Sequence, residues 1–275
     1  MFPSHDLQVK GHVLLLNDIK TTEDCRVLFK EVEEQFDLVI HLAAIVGGRT
    51  KIEGDPISVA TDLSIDAEMF NWAVRTKQPR VIYFSSSAAY PIDLQKGEDA
   101  FKLKESDIDL EKIKNPDMTY GWAKLTGEML SEHARKQGVN VHVFRPFSGY
   151  GGDQDLDYPF PSFIKRVKDK VPEFEIWGDG EQVRDFIHID DIVEAVMKAV
   201  ELDIQEPINL GSGEGTSFNE LADLVMEVSG HKVPKKHLLG APIGVKYRVS
   251  DNSKMLSFYK PKVSLREGIE RALKA

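Results

Sequence analysis

Short apolar runs alternate with helix-length polar segments through the first half of this 275-residue chain, and that alternation restricts it to one broad architecture. Val13-Leu14-Leu15-Leu16 and Leu38-Val39-Ile40-His41-Leu42 bracket the charged, helix-spaced segment Glu23 to Gln35, which reads as β-α-β. Val81-Ile82-Tyr83-Phe84 and Val139-Asn140-Val141-His142-Val143-Phe144 are two more buried-strand candidates. Each follows a helix-length segment, Asp62 to Thr76 and Thr119 to Lys136. This pattern predicts an α/β chain built on a parallel sheet with helices on both faces.

After Pro146 the texture changes. Gly149, Gly151, Gly152, Pro159 and Pro161 break the pattern, and a basic helix follows near Ser162 to Lys170. Asp190 to Glu201 reads as a helix and Pro207 to Leu210 as a strand returning to the main domain, while Ser217-Phe218-Asn219-Glu220 is a capping box opening a helix to Ser229. The expected division is a main domain at 1–147 with parts of 186–215, and a smaller α/β substrate-binding domain at 148–185 and 216–275.

Composition narrows the function classes. No apolar run approaches the roughly 20 residues that span a bilayer, and a formal charge of −10 argues against neutralising nucleic-acid phosphates. Cys25 is the only cysteine, which excludes an internal disulfide and a cysteine-based metal cluster. With no signal-like start, a cytoplasmic protein is expected.

Tyr120 and Lys124 stand four residues apart, on one side of a helix, downstream of a strand ending in Phe84-Ser85-Ser86-Ser87. That order puts hydroxyl, phenol and ammonium at the C-terminal edge of the sheet, where open α/β folds bind ligands. A nearby ammonium favours the phenolate, lowering a reference value of about 10 toward the range of a general base. With seven tyrosines, a Tyr-x-x-x-Lys pair alone also fits a solvated helix face; its context makes the difference.

Together with His41-Leu42-Ala43-Ala44, the segments Phe84 to Pro91, Arg145 to Gly151 and Gly178 to Phe186 resemble the extended short-chain dehydrogenase/reductase family, specifically its nucleotide-sugar epimerases and dehydratases. The resemblance runs over nearly the whole chain. It implies a Rossmann-like doubly wound sheet, NAD as cofactor with NADP as the alternative, and a nucleotide-diphosphate sugar as partner. By resemblance Tyr120 is the acid/base, Ser86 its hydrogen-bond partner, chosen among three serines because it lies four before Tyr90, and Lys124 the ligand of the nicotinamide ribose. Asp18 with Ile19 would touch the adenine, and Leu42, Ala43 and Ala44 would line the diphosphate and ribose.

Arg184 offers a planar fork for substrate phosphate oxygens, with an ion pair to Asp185 as the plain alternative, and Arg248 resembles the family's second diphosphate arginine. Ser87 would face substrate, as would Ser148, which stands where the family commonly has asparagine. Trp177 would stack near the base or pack the small domain. Gly211-Ser212-Gly213-Glu214-Gly215 looks phosphate-binding, yet it follows a late strand and corresponds to a structural turn.

The residues after Ser86 separate the family's reactions. A 4,6-dehydratase resembles this chain except for an Asp-Glu pair where Ser87-Ala88 stands. The decarboxylating branch places glutamate at Ala88, and the fucose synthase and 3,5-epimerase branches place cysteine there. Ile45-Val46-Gly47-Gly48, Tyr90-Pro91 and Phe174 to Asp185 nevertheless resemble those last branches. A nucleotide-sugar 4-epimerase is predicted, with a 4-ketosugar reductase next.

No glycine-rich turn is visible near Met1. In a sheet of order 3-2-1-4-5-6 the chain would begin just before strand three, so the first two strands are expected to be lacking. A catalytically silent sugar-nucleotide-binding protein is therefore the third alternative. Helices Asp62 to Thr76 and Thr119 to Lys136 carry Phe70, Trp72, Val74, Leu125 and Leu130, which by analogy form a homodimer interface and otherwise only cover the sheet.

Overall fold

The computed structural model describes residues 22–97 and 101–275, so the expected strand Val13 to Leu16 lies outside the described residues. In chain order, α1 (Thr22–Glu31) leads to β1 (Val39–His41), and the short helices α2 (Arg49–Gly54) and α3 (Pro56–Val59) precede α4 (Thr61–Arg75) and β2 (Arg80–Phe84). Next come β3 (Lys102–Leu103), α5 (Met118–Lys136), β4 (Asn140–Pro146), β5 (Ser148–Tyr150), α6 (Pro159–Lys168), β6 (Phe174–Trp177) and β7 (Val183–His188). The chain continues through α7 (Ile189–Glu201), β8 (Ile208–Leu210), β9 (Gly215–Ser217), α8 (Phe218–Ser229), β10 (Lys235–Leu238), β11 (Tyr247–Ser250), α9 (Ser253–Leu256) and α10 (Leu265–Lys274).

The main sheet has the order β1-β2-β4-β8 and is parallel throughout, with Val39 opposite Val81, Val81 opposite Val141 and Phe144 opposite Ile208. Side chains alternate across it. Val81, Tyr83, Val141 and Val143 pack with Ile65, Met69 and Phe70 of α4 and Phe29 of α1. Ile82 and Phe144 pack on the opposite face with Ile192, Ala195 and Val196 of α7. Both faces are covered, as parallel strands require, and the Rossmann-like expectation holds.

One part of the interface expectation is corrected. Phe70, Trp72 and Leu125 are only 4%, 4% and 2% exposed, and Phe70 and Trp72 fill the layer between helices and sheet. Trp72 stacks on Phe29 with centroids 5.1 Å apart. Phe70 and Trp72 cover the sheet.

A second core contains Tyr150, Phe160, Phe163, Phe174, Phe218, Leu221, Val225 and Ile269. It lies among α6, α8 and α10 and the strand pair β6–β10. The predicted capping box opens α8: Ser217 Oγ accepts from the Glu220 N–H at 3.1 Å, and Glu220 Oε2 accepts from the Ser217 N–H at 2.7 Å. Gly230, at φ 73°, ends it in the left-handed conformation. A further sheet of order β3-β11-β7-β5 carries β9 antiparallel on β7.

A buried ionic network fixes the C-terminal ends of the main strands. Arg145, 2% exposed at the end of β4, donates from Nε and Nη2 to the two oxygens of Glu128 on α5 at 2.9 and 2.7 Å. Its Nη1 reaches the Tyr90 hydroxyl at 3.0 Å and the Glu105 carbonyl at 2.9 Å. Ser85, just past β2, donates to Glu128 at 2.5 Å, and Tyr90 donates to Asn209 of β8 at 2.5 Å. Burial opposes the guanidinium charge, but Glu128 and Tyr90 more than offset it and hold Arg145 above its ordinary range. One network thereby joins β2, β4, β8 and α5 at the edge of the cleft.

Candidate active site

Ser86 leaves β2 in extended conformation, and its Oγ accepts from the Ala88 N–H at 3.1 Å, closing a 3₁₀ turn over Ser87–Ala89. Helix α5 docks against that turn. The Asp117 N–H donates to the Ala88 carbonyl at 2.9 Å, and Gly121 approaches so closely that a Cβ there would lie 2.4 Å from the same oxygen. Only glycine permits this contact. It holds Tyr120 in the first turn of α5 beside the Ser86 turn, where the serine hydroxyl eases the phenol's pKa downward. Lys124, one turn later and 5% exposed, holds its Nζ 5.9 Å from the Tyr120 ring centroid and 5.5 Å from that of Tyr83.

The expected effect of Lys124 on Tyr120 is corrected. The phenol is pushed well above its usual value, first by burial and then by the carboxylate of Asp62, with Asp66 adding to it and the Ser86 hydrogen bond and Arg248 opposing. Lys124 faces those same two carboxylates of α4, and its ammonium lowers both. Sequence spacing displays the ammonium but not the acids that a packed neighbouring helix brings.

Across the cleft, Arg184 of β7 and Arg248 of β11 sit directly opposite each other in parallel register. Arg248 donates to Gln95 at 2.5 Å and to Asp117 at 2.7 Å. Arg184 donates to the carbonyls of Val183 and Ile243 at 2.8 and 3.2 Å, and its guanidinium lies 5.6 Å from the Phe218 ring centroid. Arg49 adds a third cation, with its Nη1 at 3.0 and 2.9 Å from the Asp117 oxygens, and it also pairs with Glu53. Burial first, then Arg248 and Arg49, push Arg184 down to about 9, with Asp117 opposing. Three guanidiniums near Asp117, a carboxylate bonded by Arg248 and Arg49 but not by Arg184, favour an incoming anion.

The ion pair weighed for Arg184 does not form. Asp185 is buried and accepts instead from Ser212 N and Oγ, both at 2.6 Å, from Gly213 N at 3.1 Å and from Ser250 N and Oγ at 3.0 and 2.5 Å. The glycine-rich segment 211–215 thus turns its amides onto a protein carboxylate.

Of the remaining predicted residues, Leu42, Ala43 and Ala44 follow β1, with Leu42 exposed, and the next amide, Ile45 N–H, donates to Asp62 Oδ1 at 2.5 Å. Ser87 is buried in the turn and Ser148 opens β5. Trp177, partly exposed, ends β6, and its carbonyl accepts from Gln182 at 2.8 Å. Asp18 and Ile19 lie outside the described residues. Arg49, Asp62, Asp66 and Asp117 escaped the sequence reading. Only Arg49, directly after Gly47-Gly48, and the i,i+4 pair Asp62 and Asp66 offered a local sign.

A parallel doubly wound sheet with a Ser-Tyr-Lys site at its C-terminal edge, facing paired arginines, defines an extended short-chain dehydrogenase/reductase. The NAD dependent epimerase/dehydratase family matches residues 6–211, and the chain belongs to it. It is 33% identical over 264 residues to GDP-mannose 3,5-epimerase of Arabidopsis thaliana, covering 92% of this chain and 67% of that protein. It is 29% identical to dTDP-4-dehydro-6-deoxy-D-allose reductase of a Streptomyces species, covering 88% and 74%. The crystal structure of UDP-glucose 4-epimerase with UDP-glucose from Thermotoga maritima superposes with a TM-score of 0.78 at 26% identity, covering 92% of this chain and 80% of that one.

The residues present fit the family's cofactor. Lys124 is buried beside the phenol, Leu42 is exposed past the end of β1, and Asp62 Oδ2 is buried with no hydrogen-bond partner among the described residues. No helix among the described residues is long and apolar enough to cross a membrane.

Proposed function

We propose that the protein is an NAD-dependent nucleotide-sugar epimerase that inverts C4 through a transient 4-keto sugar. The observation carrying this is that Asp117, the N-cap of the helix bearing Tyr120, accepts from Arg248 at 2.7 Å and from Arg49 at 2.9 Å, which ties the anion-binding guanidiniums to the helix of the tyrosine. A substrate diphosphate on Arg184 and Arg248 presents its sugar to Tyr120. Ser86 holds the reacting hydroxyl, and Tyr120 takes its proton and later returns it. Lys124, Leu42, Ala43 and Ala44 would hold NAD, which when bound supplies reversible hydride acceptance at the oxidised carbon. Ala88 carries no ionisable group, so a second acid or base for dehydration or for C3/C5 inversion is lacking at that position.

The test incubates NAD-loaded protein with a panel of nucleotide-diphosphate sugars and follows the C4 configuration by NMR. A C4 epimer formed without net change at 340 nm is the expected result; no epimer from any of them would refute the reading. The Streptomyces relative favours a second reading, a 4-ketosugar reductase, which would consume one reduced cofactor per product.

Two substitutions check the assigned geometry. Arg184→Met is expected to weaken nucleoside-diphosphate binding by roughly 10- to 100-fold, read by calorimetry, and to abolish the thermal stabilisation the ligand gives the wild type. Gly121→Ala, whose Cβ would meet the Ala88 carbonyl, is expected to lower kcat by roughly a hundredfold with an unchanged circular dichroism spectrum. Substrate binding is assigned also to Ser87, Ser148 and Trp177. The reading further includes a cytoplasmic homodimer formed through the outward faces of α4 and α5, which expose Leu63 and Trp122; light scattering reports its mass.

A further inference from the structure

Asp62 and Asp66 lie one turn apart on α4, both buried, and they are not equivalent. Asp66 is fully engaged, its Oδ1 at 2.8 Å from His41 Nε2 and its Oδ2 accepting from the Tyr83 hydroxyl at 2.6 Å. Asp62 has one partner, the Ile45 N–H, and its Oδ2 is buried with none among the described residues. A buried carboxylate with a bare oxygen is costly, and an amide would accept from Ile45 equally well. The groups acting on it are Asp66 from its own helix, Lys124 and Tyr120 from α5, and His41 from β1.

We propose that Asp62 is a positioning residue whose charge, acting on Tyr120 both directly and through the Lys124 ammonium, sets the pH at which Tyr120 exchanges its proton with the sugar. Burial pushes the Asp62 carboxyl up to about 6, with Lys124 and the Ile45 N–H opposing. Above that pH its charge strengthens the hold of Tyr120 on its proton; as pH falls through about 6 Asp62 is neutralised and that hold weakens. The cofactor segment is tied to the same switch, because Ile45 directly follows Ala44.

Two measurements test this. In the first, carbon-13 NMR of aspartate-labelled protein is expected to show an Asp62 carboxyl titrating near 6, rising by roughly 1 pH unit in Lys124→Met. This arm needs neither cofactor nor substrate, so it succeeds or fails apart from the epimerase reading on which the second arm rests. In the second, Asp62→Asn keeps the acceptor for Ile45 and is expected to move the Tyr120 limb of the kcat profile to lower pH, with KM for the nucleotide sugar unchanged. An Asp62 titration in the ordinary carboxylate range, or one indifferent to Lys124→Met, overturns the proposal. So does a pH profile of Asp62→Asn that superimposes on the wild type, which is what a purely structural role would give.

Discussion

Tyr120→Phe is expected to lower kcat by roughly a hundredfold to ten-thousandfold while leaving nucleotide-sugar affinity within about threefold of the wild type, a difference under about 1 kcal/mol. The substitution removes one oxygen from a side chain whose ring is already held by the contact of Gly121 with the Ala88 carbonyl, so the helix has no reason to move. What disappears is the phenol beside Ser86, and with it the group proposed to remove and return the sugar proton. Steady-state kinetics with calorimetric binding separates the two effects. A kcat within tenfold of the wild type would remove Tyr120 from the proton-transfer step.

Arg145→Met is expected to cost about 3–5 kcal/mol of folding stability, because it leaves Glu128 charged and buried without its partner. Both side chains are nearly inaccessible, at 2% and 3%, and the guanidinium fork is bidentate. Against a typical total of about 5–15 kcal/mol, that leaves a marginal protein. The urea midpoint checks this, and the double substitution Arg145→Met, Glu128→Leu should recover much of the loss by removing the stranded charge as well. A loss below about 1 kcal/mol, the range of exposed pairs, would contradict the assignment.

The parts legible in sequence are those whose signal is local and repeated. Arg80–Phe84 and Asn140–Pro146 read as strands, and Thr61–Arg75 and Met118–Lys136 as helices, because each carries its periodicity over enough residues to be unambiguous. The strands from β5 to β11 other than β8 were not read, since most are three or four residues long and derive their identity from the partner they pair with. The site divides along the same line. Ser86, Tyr120, Lys124, Arg184 and Arg248 stand in motifs that announce themselves, whereas Asp62, Arg49 and Glu128 act through groups distant in the chain. The direction of the Tyr120 shift was misjudged for that reason: Lys124 is four residues away, and the opposing carboxylates arrive from α4 through packing alone.

The contact that seats Tyr120 also says something about how such a scaffold can change its reaction. Gly121 and the Asp117 N–H both meet residue 88 at its backbone carbonyl, an atom every amino acid supplies. The placement of the tyrosine is therefore insulated from the side chain at 88, the position at which the resemblance separates the family's reactions. Architecture and reaction type are written on different atoms of the same residue, so one can be exchanged while the other stays in register.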